Sequence, residues 1–356
     1  MKKSKFTIWL KRIVYWGLVI AFFWFINKYF ADIEDFVEVV RDADYRWFAV
    51  AFAISMLSFC LLAILYRSSV SKLGYNETSI ARAIQNFFAF MFVSIINPTS
   101  GWGGTLYHAN LYSSRNPRSL GGALVGTLVV WILYGFWGIS LILPALYYVA
   151  PYNGYIKSLG FIAVTLYSVE LFVICLTLLS GDRRPVTLNR FAVWISNKWS
   201  KVGGLFALSS NSFEVNVHDY CISSKTVAHG SGRYWGELVG TFLVHLTQLI
   251  AMICLFIAFG APVTAAGVIV CYSLLLLFST ISPTPQGIGV AEGLVQVAMS
   301  AIGYDSGKSL AVILAYRGIT LWIPLLIGFI AFKKISMFDN KAVNSFKDST
   351  PDEVLV

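Results

Sequence analysis

The chain has 356 residues, of which 57% are hydrophobic, 16% aromatic and only 13% charged. Soluble domains carry about a quarter charged residues, so this composition excludes an ordinary water-soluble enzyme or binding module and sets the class as a polytopic membrane protein. The net charge of +9 does not point to a nucleic-acid partner, because most Lys and Arg fall in loops between apolar spans, where topology accounts for them.

Residues Met1 to Arg12 are basic and Ile13 to Ile26 are apolar. The run ends at Asn27-Lys28 without a small-residue cleavage site, which predicts a retained first span with a cytoplasmic N-terminus, not a signal peptide. Asp32 to Arg46 sets Ile33, Phe36, Val37 and Val40 at helical spacing and reads as an amphipathic segment on the outer surface. Residues 1–46 therefore form an N-terminal unit, and Trp47 to Tyr66 opens a first half that extends to residue 180.

Within that half, the apolar sequence from Ile80 to Ser113 is broken by Asn97-Pro98-Thr99-Ser100-Gly101-Trp102-Gly103-Gly104. Arg82 precedes the stretch and Arg115 and Arg118 follow it, so both ends read as cytoplasmic. Each arm is short of the roughly 20 residues a crossing needs. The pattern predicts a re-entrant hairpin over 80–113; two ordinary spans joined by a glycine loop are the alternative. Leu120 to Val149 is a tilted span and Pro151 to Tyr155 an external turn. Leu159 to Leu179 returns with Glu170 in its apolar run, a place where carboxylates are costly and either functional or paired.

Residues 181–233 form the largest polar segment, with Arg183, Arg184, Arg190, Lys198 and Lys201 interleaved with Trp194 and Trp199. The composition suits an amphipathic stretch on an anionic leaflet; positive-inside topology with interface anchoring is compatible with that and is the favoured reading. A second half follows over 234–332. Tyr234 to Phe259 crosses outward, with Glu237 near the cytoplasmic end, within reach of water, and His245 read as hydrogen-bonded packing. Val263 to Ile302 is broken at Pro283-Thr284-Pro285-Gln286-Gly287-Ile288-Gly289 and predicts a second hairpin, over 263–302, entered from outside. Lys308 to Phe332 crosses inward with Arg317 deep in apolar sequence, and 333–356 is a cytoplasmic tail.

The two breaks share the pattern Ser-x-Ile-x-Pro-Thr followed by closely spaced glycines, at Ser94–Thr99 and Ser279–Thr284. Broken helices at membrane depth are tolerated only where protein or a water-filled cavity covers the freed backbone. Interrupted segments at corresponding places in two halves point to a transporter's binding site. The expected fold is all-α and polytopic, with about six full spans and two re-entrant broken-helix hairpins in an inverted repeat. Glu292 and Arg317, both in apolar sequence, are expected to pair beside a polar cavity between the hairpins. Cys60, Cys175, Cys221, Cys254 and Cys271 include no Cys-x-x-Cys pair, so no disulfide framework, metal or cofactor site is expected.

The run Pro283 to Gly293, Pro-x-Pro-x-Gly-x-Gly-x-x-Glu-Gly, resembles the C-terminal signature of the flippase-like transmembrane family that includes the membrane half of lysylphosphatidylglycerol synthase/flippase. Asn97-Pro98 to Gly103-Gly104 resembles its first signature, and Tyr316-Arg317 its membrane-embedded Tyr-Arg. Where many members carry Asp or Gln and then Arg, this chain has Thr105 and His108. The resemblance implies a stand-alone member, without the soluble aminoacyl-transfer domain, that moves an anionic or aminoacylated phospholipid, or a polyprenyl-phosphate lipid, between leaflets of the cell membrane. The substrate-binding set it implies is Pro98, Gly101, Gly103, Gly104, His108, Pro283, Pro285, Gly287, Gly289, Glu292, Tyr316 and Arg317, with Glu170 as a further intramembrane acid. Helix N-termini and glycines would receive a phosphate, and Arg317 would hold it by charge-assisted bonds. No Ser/His/Asp set, His-Glu-x-x-His or nucleotide loop supports an enzyme. A non-catalytic partner of a separately encoded lipid-modifying enzyme is the alternative.

Overall fold

The computed structural model describes residues 39, 41–75, 79–96, 102–114, 120–180, 210–282 and 284–348. The apolar run Ile13–Ile26, the basic stretch 181–209 and the first Pro-Gly break, Asn97–Gly101, lie outside the described residues. Within them every regular element is helical: α1 Tyr45–Lys72, α2 Ile80–Ile96, α3 Trp102–Ser113, α4 Leu120–Val149, α5 Gly154–Ser180, α6 Ser210–His229, α7 Trp235–Ala258, α8 Ala265–Ile281, α9 Val290–Ala301, α10 Ser306–Arg317 and α11 Ile323–Asp348. Five segments among the described residues are long and apolar enough to cross a membrane: α1, α4, Gly154–Leu178, α7 and Ser306–Ile335, which joins α10 to α11. The chain is an all-α polytopic membrane protein, as its composition predicts.

Exposure follows that class. Phe161, Ile162, Leu166, Val169, Phe172, Val173 and Leu176 stand exposed along α5, a continuous apolar face that lipid satisfies and water would not. By contrast α8 is buried almost all round, from Val268 through Tyr272 and Leu275 to Phe278, which makes it the central helix of the bundle.

α1 and α7 run antiparallel and fix its two ends. At one end the Asp44 N–H donates to the Ala258 carbonyl at 2.9 Å, and the Asp44 side chain caps α1 through the Arg46 N–H. At the other end Lys72 pairs with Glu237 at 2.5 Å, and Ser68 donates to the same carboxylate at 2.7 Å. Glu237 is only 1% exposed. The sequence put it within reach of water; the structure instead buries it under Lys72 and Ser68, from α1, which a reading along α7 alone does not bring near. Lys72 remains a quarter exposed, so it can turn to water when its partner is lost. Glu237→Gln is therefore expected to destabilise the protein by about 1–3 kcal/mol, the cost of an under-satisfied buried group, read as a lower unfolding temperature in detergent with unchanged oligomeric state. An unchanged unfolding temperature would show that the pair holds nothing together.

The later part of the polar segment does not lie free of the bundle. The Thr177 and Tyr220 hydroxyls meet at 3.1 Å, and a Cβ on Gly122 of α4 would fall 2.8 Å from Ser223 Oγ, so α6 packs on α4 and α5.

Candidate functional site between two broken helices

α2 and α3 form an antiparallel pair. A Cβ on Gly104 would lie 1.8 Å from Ser94 Oγ and 3.0 Å from the Phe90 carbonyl, so only glycine lets the two arms approach this closely. His108, one turn further on, has its ring 5.3 Å from that of Phe90. The open side of this pair, at Ile80 and Ser113, faces the Lys72 end of the bundle: α4, whose start packs on Val70 and Tyr75 of that end, also holds His108 through Thr127.

α8 and α9 form the second pair. Its open side is tied by the Thr264 and Tyr304 hydroxyls at 2.7 Å and lies at the Asp44 end, where Lys308 donates to the Gly260 carbonyl at 3.1 Å. Between the arms the chain turns through the 3-10 segment Pro285–Gly287. Gln286, Gly287 and Gly289 have φ of 51°, 72° and 83°, left-handed positions on either side of Ile288 at φ −53°, and glycine makes two of the three accessible without strain. A Cβ on Gly287 would meet Ser279 Cα at 2.7 Å and the Phe278 carbonyl at 3.0 Å. The close approach that the resemblance assigned to a phosphate is thus occupied, at Gly287, by the chain's own helix end.

The arms beside the two breaks meet at a cavity of about 150 Å³ lined by Ser94 of α2, Thr105 of α3, Ser279 and Thr280 of α8, Gln286 of the turn, and the side chains of Tyr66, Phe90, Met91 and Trp131. Ser94 and Ser279 are the first residues of the repeated Ser-x-Ile-x-Pro-Thr pattern. Neither stands among the residues expected from sequence, although the repeat itself carried the signal. Tyr66, Trp131, Thr280 and Gln286 carried none, because their convergence depends on tertiary packing.

Arg317 lies behind this wall, 6% exposed. Its Nε donates to Glu292 Oε1 at 2.5 Å, one terminal nitrogen to Ser279 Oγ at 3.1 Å and the other to the Gln286 carbonyl at 2.5 Å. The second Glu292 oxygen accepts the Gly289 N–H at 2.7 Å, which caps α9 with negative charge at its positive end. One ion pair therefore clasps the α8 terminus, the left-handed turn, the α9 start and the α10 end. Directly after Arg317 the span widens into a π turn over Gly318–Trp322, where the Ile323 N–H reaches back to the Gly318 carbonyl. Pro324, lacking an N–H, cannot continue regular α pairing there.

The remaining expected residues scatter. Pro98, Gly101 and Pro283 lie outside the described residues. Gly103 sits half-buried in the first turn of α3, and Pro285 opens the 3-10 turn. His108 stands behind Tyr66 and Phe90 at ring distances of 5.0 and 5.3 Å; its Nδ1 lies 3.3 Å from Thr127 Oγ1, and its Nε2 has no hydrogen bond among the described residues. Tyr316 turns to α7, donating to Gln248 Oε1 at 3.1 Å, and is not part of the cavity wall. Glu170 is half-buried and accepts the Trp102 indole N–H at 3.1 Å; Trp102 stacks edge-on with the cavity residue Trp131 at 4.9 Å. His245 is packing, as expected: its ring lies on Tyr134 and its nitrogens meet Tyr272 and the Tyr134 carbonyl at 2.6 and 2.9 Å. Among the described residues no group of three or more His, Cys, Asp or Glu is placed to hold a metal.

Comparison with known proteins agrees with this architecture. The family model described as the lysylphosphatidylglycerol synthase TM region matches residues 8–328. A UPF0104 membrane protein of Methanocaldococcus jannaschii is 22% identical over 328 residues, covering 88% of this chain and 93% of the relative. Another, from Pyrococcus horikoshii, is 18% identical over 311 residues, covering 85% and 91%. With nearly all of its spans inside the matched region, the chain belongs to the family of the lysylphosphatidylglycerol synthase transmembrane region.

Proposed function

We propose that the protein is a flippase-like translocase of the cell membrane that passes the headgroup of an anionic or aminoacylated phospholipid, or of a polyprenyl-phosphate lipid, between leaflets. The observation that carries this reading is the cavity shared by the arms of α2–α3 and α8–α9, whose open sides lie at opposite ends of the bundle. Two inverted, interrupted helix pairs around one polar cavity are the layout that lets a transporter expose a fixed site to either side. The α2–α3 pair enters from the cytoplasm and returns to it, the α8–α9 pair does the same from outside, and both termini are cytoplasmic. Arg317 and Glu292 hold the second tip in shape. The apolar face of α5 meets lipid.

Reconstitution into liposomes with labelled lipids tests the activity. Headgroup movement between leaflets supports the translocase. Chemically altered lipid would make it an enzyme, and neither outcome would make it a non-catalytic partner of a lipid-modifying enzyme. The topology has its own test. In a background lacking the five native cysteines, single cysteines at Asn153 and Asp305 are expected to react with an impermeant thiol reagent from outside, and cysteines at Arg118 and Arg190 only after permeabilisation. External labelling at Arg118 would turn the first pair into ordinary crossings and remove the inverted repeat.

A further inference from the structure

The translocase reading names several lipids without choosing among them or saying which part of a headgroup the cavity takes up, and the cavity wall speaks to both. Its polar members are the hydroxyls of Ser94, Thr105, Ser279 and Thr280 and the amide of Gln286; its other members are Tyr66, Phe90, Met91 and Trp131. Among the described residues no member is charged. The nearest ion pair closes on itself, since one Glu292 oxygen is taken by Arg317 and the other by the Gly289 N–H. Glu292 therefore meets an incoming ammonium with its charge already balanced by Arg317 and one bond on each oxygen, and Arg317 lies just behind the wall, bonded to the cavity residue Ser279.

From this lining we infer that the group received by the cavity is an uncharged, hydroxyl-bearing ring, a sugar or cyclic polyol on a lipid, and not the ammonium of an aminoacylated phospholipid. The inference rests on the translocase reading. Hydroxyls and amides both donate and accept, which matches a polyol, whereas an ammonium only donates and requires acceptors with negative charge. Cation–π attraction to the aromatic members is smaller than the cost of an uncompensated charge at this depth. The C–H faces of a sugar ring pack against aromatic walls by dispersion without that cost. The volume of about 150 Å³ is that of a cavity admitting one six-membered ring. Ser94 is 5% exposed, and its Oγ has no hydrogen-bond partner among the described residues, so one wall hydroxyl is unspent.

The test is a dithionite-quenching assay in proteoliposomes of the full chain, with acyl-labelled monoglucosyl diacylglycerol, lysylphosphatidylglycerol and phosphatidylglycerol measured separately. The glucosyl lipid is expected to cross at least about tenfold faster than the lysyl lipid. An equal or faster lysyl rate overturns the sugar assignment while leaving a translocase. No rate above protein-free vesicles for any lipid overturns the translocase reading and this one with it. Thr105→Asp and, independently, Gln286→Glu add a carboxylate to the wall; whichever variant elutes as folded protein is expected to shift the glucosyl-to-lysyl ratio at least about tenfold toward the lysyl lipid. An unchanged ratio in a folded variant removes the cavity as the selecting site.

Discussion

Gly287→Leu is expected to abolish lipid movement and to lower the unfolding temperature in detergent by more than any other glycine replacement in the second helix pair. Two separate costs add at this position. The backbone sits at φ 72°, a region that costs a residue with a Cβ about 1–3 kcal/mol. The Cβ itself would be 2.7 Å from Ser279 Cα and 3.0 Å from the Phe278 carbonyl, both backbone atoms of the α8 terminus that cannot swing aside, and overpacking of this kind adds roughly 1–3 kcal/mol. Gly287→Ala already carries both penalties through its Cβ, and the further carbons of leucine add to the overpacking, so a graded loss from Ala to Leu is expected. Gly104→Ala should be milder because its backbone adds no left-handed strain, but its Cβ would lie 2.9 Å from Ser94 Cβ and 3.0 Å from the Phe90 carbonyl even after the Ser94 hydroxyl rotates away; the expected effect is a spreading of the α2–α3 arms, a stability loss smaller than at Gly287 and slower transport. Thermal unfolding followed by tryptophan fluorescence, beside the liposome assay, reads both. A Gly287→Leu protein with wild-type stability and transport would reduce these glycines to loop punctuation.

What could be read from the sequence follows from how local each signal is. The breaks in the apolar runs were visible because Pro and Gly interrupt a helix wherever they stand, and the structure ends α8 at Ile281, just before the second of them. The pairing of Glu292 with Arg317 was visible because an unmatched charge at depth needs a partner and the return arm leads straight into the span bearing the arginine. The Lys72–Glu237 pair was not, since its members are 165 residues apart and each alone resembles an interfacial charge. Nor was the Trp102–Glu170 bond, which joins the first pair to a lipid-facing helix across 68 residues. The cavity's neutral wall was the least legible part. Hydroxyl residues in membrane helices usually bond back to their own carbonyls, as Ser279 and Thr280 do, and composition alone does not say which of them face a shared space.

Removing either side of the Glu292–Arg317 pair is expected to be the most damaging single change to a charged residue in the protein. Arg317→Ala strands a carboxylate that is 7% exposed, and breaking a buried pair from one side typically costs about 3–5 kcal/mol. The same change frees the Gln286 carbonyl and the Ser279 hydroxyl, so the second tip loses its clasp as well as its charge balance. Arg317→Lys keeps the charge but cannot reach Glu292, Ser279 and Gln286 together, because it lacks the planar fork; it should fold better than Arg317→Ala and still transport poorly. Glu292→Gln can retain the cap on the Gly289 N–H while leaving the guanidinium unneutralised, so its defect should be chiefly in stability. The double replacement Glu292→Gln with Arg317→Met separates structure from transport. Replacing a buried pair with groups of similar volume is often close to neutral for stability, so the double variant is expected to recover much of the unfolding temperature lost by either single one. If transport returns together with stability, the pair serves only to hold the tip. If the fold recovers and transport stays absent, the charge on Arg317, one hydroxyl behind the cavity wall, acts on the passing lipid itself.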